Sequence, residues 1–227
     1  MALNKSAFGA SVTRLEDEAL LRGTARFTDD ITFPGTLAAA FVRSPLSHAT
    51  IKSIDTNAAK ALPGVHAVFT LDDLLPHLSS EKMSVGLPSK SYLLNVDPMI
   101  LTDKETRYVG EAIAVVIADS RYIAEDAAEL VEVDYDILAE VSDCRVGLEN
   151  NQIRVHTDTA HNLVSQYDFD FGDIDKAFDG SNEILVESFY MHRGCSMPIE
   201  CRGVLVNYDD MRDHLTVWSS TQRPHAL

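Results

Sequence analysis

Residues 112–118, Ala-Ile-Ala-Val-Val-Ile-Ala, form an unbroken apolar, β-branched run, the pattern of a strand buried on both faces. Asp119 or Ser120 then caps a helix whose apolar positions, Ile123, Ala124, Ala127, Ala128 and Val131, fall on one stripe. Glu125, Asp126, Glu129 and Glu132 lie off that stripe and face water. The period then shortens to two, with Val131, Val133 and Tyr135 alternating with Glu132, Asp134 and Asp136. Residues 112–135 therefore predict a strand–helix–strand unit. The chain is expected to be of mixed α/β (α+β) class.

Weaker patterns flank this unit. Residues 1–30 predict an irregular arm with a short helix in Leu-Glu-Asp-Glu-Ala-Leu-Leu, ended by Gly23 and by Asp29–Asp30. After the Pro34-Gly35 turn, strands are predicted at 37–42, 49–54 and 65–70. A short helix at 57–62 is stopped by Pro63-Gly64, and another is predicted at 72–78. Residues 79–98 show no periodicity and are read as a long loop, and 137–163 as a link with little pattern. Gly172-Asp173 opens a helix that Gly180 closes, and strands are expected at 182–190, 203–208 and 214–219. No repeat of roughly 20–50 residues is present, which disfavours solenoids and propellers.

The length of 227 residues and 45% hydrophobic content are enough for a real core in one large or two small domains. The 19 basic against 35 acidic residues give a net charge of −16, which repels nucleic acid and anionic lipid alike. No apolar run is long enough to span a bilayer, and no secretory signal opens the chain, so a cytoplasmic location without membrane insertion is expected. Cys144, Cys195 and Cys201 form no C-x-x-C pair, so this chain by itself holds neither a zinc ribbon nor an iron–sulfur cluster. Reduced thiols are the expected state.

Self-contained chemistry is scarce. Neither a dinucleotide-binding glycine fingerprint nor a phosphate-binding loop occurs. His156 and His161 are the nearest histidine pair at a plausible ligand spacing, but five positions apart in an aperiodic stretch they read as solvated loop residues. Ser196 lacks the second glycine of a nucleophile elbow, and His192 beside Cys195 is adjacency in sequence, not triad geometry. The pairs Asp29–Asp30, Asp72–Asp73 and Asp209–Asp210 sit in turn-like contexts that capping and solvation explain. Spacing alone names no reaction.

A series of short strings in fixed order adds what spacing lacks. They are Arg14-Leu15-Glu16-Asp17 with Gly23, then Phe27-Thr28-Asp29-Asp30 with Pro34-Gly35, and Ala40-Phe41-Val42-Arg43-Ser44-Pro45 with His48-Ala49. Pro63-Gly64-Val65, Arg107-Tyr108-Val109-Gly110-Glu111, the helix 124–129 and Val131-Glu132-Val133-Asp134-Tyr135 follow. Gly172-Asp173 with Ala177-Phe178, Pro198-Ile199-Glu200 with Arg202-Gly203, and Trp218-Ser219-Ser220-Thr221-Gln222 with Pro224-His225 complete the set. Together these resemble the N-terminal portion of the molybdenum-binding large subunit of the xanthine dehydrogenase, aldehyde oxidase and carbon monoxide dehydrogenase family.

The resemblance implies an arm at 1–19, an α/β hammerhead domain at 20–140, a linker at 141–160 and the start of the first molybdopterin-binding domain at 161–227. It implies a molybdenum–molybdopterin cofactor that hydroxylates an aldehyde, N-heterocycle or similar small molecule with water-derived oxygen, or oxidises carbon monoxide. Electrons are implied to leave through iron–sulfur clusters and FAD on other subunits or domains. Gln222 takes the place of the family's glutamine beside the metal, where a neutral amide can hydrogen-bond an oxo ligand. Glu200 falls in the proline–x–glutamate stretch as support for the site, and His225 and Arg223 stand near it. The family's glycine-rich cofactor loop and its general-base glutamate have no match here, so no catalytic set is complete in this chain. Turnover is then expected only with a complementary C-terminal molybdopterin-binding polypeptide, and with iron–sulfur and FAD subunits as partners. A cofactor-free α/β interaction or assembly module, or an inactive truncated relic, is the alternative. Under the enzyme reading, the apolar residues of 182–227 await partners. The substrate is not specified by these residues.

Overall fold

The computed structural model describes residues 8–83, 90–102, 104–149, 151–192, 194–195 and 197–225. In chain order the elements are α1 (Asp17–Leu21), β1 (Ala38–Arg43), β2 (Ala49–Asp55), α2 (Asn57–Ala61), β3 (Val65–Phe69), α3 (Leu71–Leu74), β4 (Glu105–Thr106) and β5 (Ala112–Ala118). They continue with α4 (Arg121–Glu129), β6 (Glu132–Ile137), α5 (Cys144–Glu149), α6 (Ile174–Asp179), β7 (Val204–Asp209) and β8 (His214–Ser219). Single 3-10 turns occupy Thr28–Asp30 and Leu75–His77. Two compact units share these elements: Thr36–Ile184 forms one, and Met1–Gly35 joins Leu185–Leu227 in the other. Among the described residues no helix is long and apolar enough to cross a membrane.

The larger unit holds two three-stranded antiparallel sheets, ordered β1-β5-β3 and β4-β2-β6. The apolar run 112–118 becomes β5, the centre of the first sheet, as its continuous hydrophobicity requires. Helix α4 starts where Ser120 accepts a hydrogen bond from the Ile123 amide at 3.3 Å, satisfying a donor that the first turn leaves open. Its stripe packs as the spacing predicts. Ala124, Ala127 and Val131 are buried with Ala59, Val68, Val116 and Ala118, while Ile123 and Ala128 pack at the margin. Alanines at the contact let the helix lie close on the sheet, and the acidic positions stay outside.

The strand–helix–strand unit exists as β5–α4–β6, but its two strands enter different sheets. Period-two alternation gives β6 one half-buried face, Val133 and Tyr135, and an exposed one. Which neighbour that face meets is a tertiary choice, and β6 pairs with β2. Gly64 closes the turn into β3 with φ of +88°, and its carbonyl accepts the Asp119 amide at 2.9 Å. A β-carbon there would lie 2.9 Å from Ile123 Cδ1, so both backbone angle and space call for glycine.

Other expectations are met with adjusted ends. The 72–78 helix begins earlier, at Leu71, and tightens into a 3-10 turn at Leu75–His77, where Pro76 removes an amide donor. The 174–179 helix is capped as predicted, Asp173 accepting from the Lys176 amide at 3.0 Å with Gly180 after its last turn. The aperiodic stretch 137–163 contains α5, a helix too short to show a period. In the 79–98 loop, Tyr92 bridges to Ser165 and Lys82 to Met99; residues 84–89 lie outside the described set.

One expected element is corrected. Residues 183–190 run without regular structure, not as a strand. Extended-favouring side chains permit a strand, but a ladder partner makes one, and none of the described residues supplies it. Leu185, Val186, Phe189, Tyr190 and Met191 are all more than four-fifths exposed. In the smaller unit β7 and β8 form a hairpin whose register runs from Val204↔Ser219 to Asp209↔His214.

Candidate functional site

The two stretches singled out by resemblance, 198–203 and 218–225, meet at the open end of the β7–β8 hairpin. Ser220 holds them together. Its hydroxyl donates to the Cys201 carbonyl at 2.9 Å and accepts the Gly203 amide at 2.7 Å, while its own amide donates to the Gly203 carbonyl at 3.0 Å. The short link from Ser220 to Gln222 thus starts from a three-bond anchor. Gln222 and His225 are exposed beyond it, and Thr221 turns back to accept the Arg223 amide at 3.0 Å.

Glu200, half-buried, lies at the entrance to the same segment. Its Oε1 accepts both the amide and the hydroxyl of Thr28, at 3.0 and 3.1 Å, and Oε2 accepts nothing from the described residues. Thr28 opens a 3-10 turn in which Asp30 accepts the Phe27 amide at 2.9 Å. Five residues on, Phe33 packs on Trp218, ring centres 5.2 Å apart and tilted by 40°. The Phe-Thr-Asp-Asp string is therefore part of the site's neighbourhood, a role its position in the sequence does not reveal.

A second polar cluster lies in the larger unit. The antiparallel register of β2 and β4 pairs Ala49 with Thr106 and Thr50 with Glu105, which brings His48, in the bend just before β2, up to Glu105. His48 Nε2 and Glu105 Oε1 are 2.8 Å apart, and His48 Nδ1 faces the Ala139 carbonyl at 2.5 Å. Glu105 also accepts the Thr157 amide and hydroxyl at 3.2 and 3.1 Å. Arg107 donates its amide to Glu111 Oε2 at 2.7 Å and a guanidinium N–H to the Glu105 carbonyl at 3.0 Å, with its buried Nε unpaired. Burial pushes the Glu111 carboxyl above its ordinary range, against the pull of Arg107. Burial, and then the Arg107 charge, push the His156 ring down. A cavity of about 230 Å³ opens here, lined in part by Arg107, Glu111, His156 and Thr159.

His156 and His161 are half-buried rather than solvated, which corrects the reading from spacing. Among the described residues no group of three or more His, Cys, Asp or Glu side chains is gathered to hold a metal ion. His192 and Cys195 are both exposed, and Ser196 lies outside the described residues. The acidic pairs do cap turns. Asp30 serves Phe27, Asp73 takes the Thr70 amide at 2.8 Å, and Asp209 takes the Met211 and Arg212 amides at 3.1 and 3.2 Å.

A family model described as the a/b hammerhead domain of aldehyde oxidase and xanthine dehydrogenase matches residues 22–139, and one described as a molybdopterin cofactor-binding domain matches 155–227. The nicotine 6-hydroxylase large subunit of Paenarthrobacter nicotinovorans is 34% identical, over 99% of this chain and 27% of its own length. The carbon monoxide dehydrogenase large chain of Afipia carboxidovorans is 32% identical, over 96% of this chain and 28% of its own. The crystal structure of quinoline 2-oxidoreductase from Pseudomonas putida 86 superposes with a TM-score of 0.84 at 35% identity, covering 97% of this chain and 28% of that one. The chain thus spans little more than a quarter of these relatives.

Proposed function

The chain belongs to the aldehyde oxidase and xanthine dehydrogenase family, and from that membership we propose that it supplies one wall of a molybdenum–molybdopterin site in a molybdenum hydroxylase. The observation that carries this reading is the Ser220 anchor, which gathers the Glu200 and Gln222 segments at one end of a hairpin inside the molybdopterin-domain match.

The residues fit such a group. Gln222 is exposed on an anchored segment and offers an uncharged carboxamide that would hold the group by a hydrogen bond without adding charge to it. Glu200 has one carboxylate oxygen held by Thr28, and its other oxygen has no donor among the described residues. His225 lies exposed three residues beyond Gln222 and can offer a ring N–H. When bound, the group supplies two-electron oxidation of a carbon centre with oxygen from water. The part of this chain is to orient that group through Gln222 and to hold the segment bearing it still.

The remaining walls come from polypeptide beyond these 227 residues, continuous with them or on a second chain. The bared apolar side chains at 185–191 and on both hairpin strands support this, because such a surface is covered in a working assembly. Iron–sulfur and FAD subunits would accept the electrons, and the exposed free cysteines suit a reducing, cytoplasmic setting. The substrate class is a small aldehyde, N-heterocycle or comparable molecule.

The test is native isolation of the tagged protein, followed by molybdenum and pterin determination. Near-equimolar amounts of both support the reading; a preparation free of both overturns it. Gln222→Ala should change the paramagnetic signal of partly reduced molybdenum, and an unchanged signal removes Gln222 from the site.

A further inference from the structure

The segment 27–33 reaches the site from the far end of the sequence and touches both arms of the hairpin's open end. Thr28 bonds Glu200, three residues before Gly203 and four before the start of β7. Phe33 packs on Trp218, near the end of β8 and two residues before the Ser220 anchor. Gly203 lies close beside Thr28: a β-carbon there would sit 3.4 Å from Thr28 Cβ and 3.5 Å from its Cγ2. The turn is itself held in shape by the Asp30–Phe27 hydrogen bond.

We infer that residues 27–33 are a positioning strap for the Glu200–Gln222 end of the hairpin, with Thr28 its positioning residue acting through Glu200. The inference rests on the proposed cofactor role for its consequence, though not for its geometry. A two-stranded hairpin alone is marginally stable, so its open end needs outside contacts to hold a side chain in one place. Two donors on a single carboxylate oxygen, one from the main chain and one from a side chain, fix that oxygen in direction as well as distance. The fixed carboxylate orients residues 200–203, and the Ser220 anchor passes that constraint to the Gln222 segment. The ring contact holds the opposite strand, so the strap braces the end from two sides.

Thr28→Val keeps the shape and the amide but removes the hydroxyl donor; Thr28→Ser restores the hydroxyl. In the natively isolated protein, Thr28→Val should speed amide hydrogen exchange across 200–222 by about tenfold, as expected for losing a hydrogen bond to a charged acceptor. Thr28→Ser should exchange like the parent. Thr28→Val should also broaden or shift the molybdenum paramagnetic signal, with Thr28→Ser returning it. Unchanged exchange in Thr28→Val overturns the strap. Faster exchange with an unchanged molybdenum signal overturns its link to the cofactor. A parent protein free of molybdenum overturns the cofactor reading and leaves the exchange result to judge the strap alone.

Discussion

His48 Nε2 lies 2.8 Å from Glu105 Oε1, with both side chains less than one-tenth exposed and the residues 57 positions apart in sequence. This contact joins the start of β2 to β4, and through Thr157 ties both to the loop that returns past the second sheet. Glu105→Ala strips His48, Arg107 and Thr157 of a common acceptor, leaving the buried His48 ring and the part-buried Arg107 guanidinium without it. A loss of about 3–5 kcal/mol is expected from denaturant unfolding. Glu105→Gln, which keeps an acceptor oxygen, should lose less. Equal and small losses for the two would place the contact outside the fold's stabilising core.

The neighbouring pair of titrating groups gives a pH dependence of opposite signs. His156 is held below 6.5 by burial and Arg107, so at mildly acid pH the unfolded chain binds more protons than the folded one. Its stabilising contribution is full above 6.5 and falls away as pH drops through the lowered value. Glu111 is raised above 4.5 by burial, so its contribution is full below 4.5 and is lost as pH rises through the raised value. Unfolding midpoints measured between about pH 4 and pH 8 should show less acid loss in His156→Gln and less decline on the alkaline side in Glu111→Gln. Parallel curves for parent and variants would contradict both assignments.

Gly64→Ala combines two penalties. The left-handed backbone costs about 1–2 kcal/mol with a β-carbon, and the Ile123 methyl group stands in its way. Adding Ile123→Val, which removes Cδ1, should recover the larger steric part and leave the backbone part and the 3.2 Å approach to Asp119 Oδ2. Full recovery would show that φ at this turn relaxes freely.

Ser120→Ala should destabilise the chain by about 1 kcal/mol through loss of the α4 cap, with Ser120→Asp close to the parent. Thermal unfolding followed by circular dichroism reads the difference. A neutral Ser120→Ala would mean that burial of Ala124 and Ala127 alone sets where the helix begins.

Period and capping made the first sheet and its helix legible without any structure. The stripe Ile123, Ala124, Ala127, Ala128, Val131 needs only the geometry of one helix to predict which side is inside, and that side is inside. The cap at Ser120 and the turn at Gly64 are likewise local. The polar cluster was not legible in the same way. His48, Glu105, Arg107, Glu111 and Thr157 share no spacing, and only the β2–β4 register and the returning loop bring them within bonding distance. Glu200 and Gln222 came forward through resemblance, and neither pointed to Thr28, 172 positions from Glu200.

The amino-acid sequence by itself determined the mixed α/β class, the strand and helix at 112–131, the turn settings of the acidic pairs at 29–30, 72–73 and 209–210, and the family. Each of these depends on neighbours within a few residues or on ordered strings of side chains, and both survive in one dimension. Tertiary structure decided that β5 and β6 enter different sheets, that 183–190 finds no ladder partner among the described residues, and that Thr28 bonds Glu200. Those outcomes depend on which surfaces and donors are left over once the local elements have formed. A strand without a partner, and a carboxylate without its donor, look the same in sequence as ones that have them.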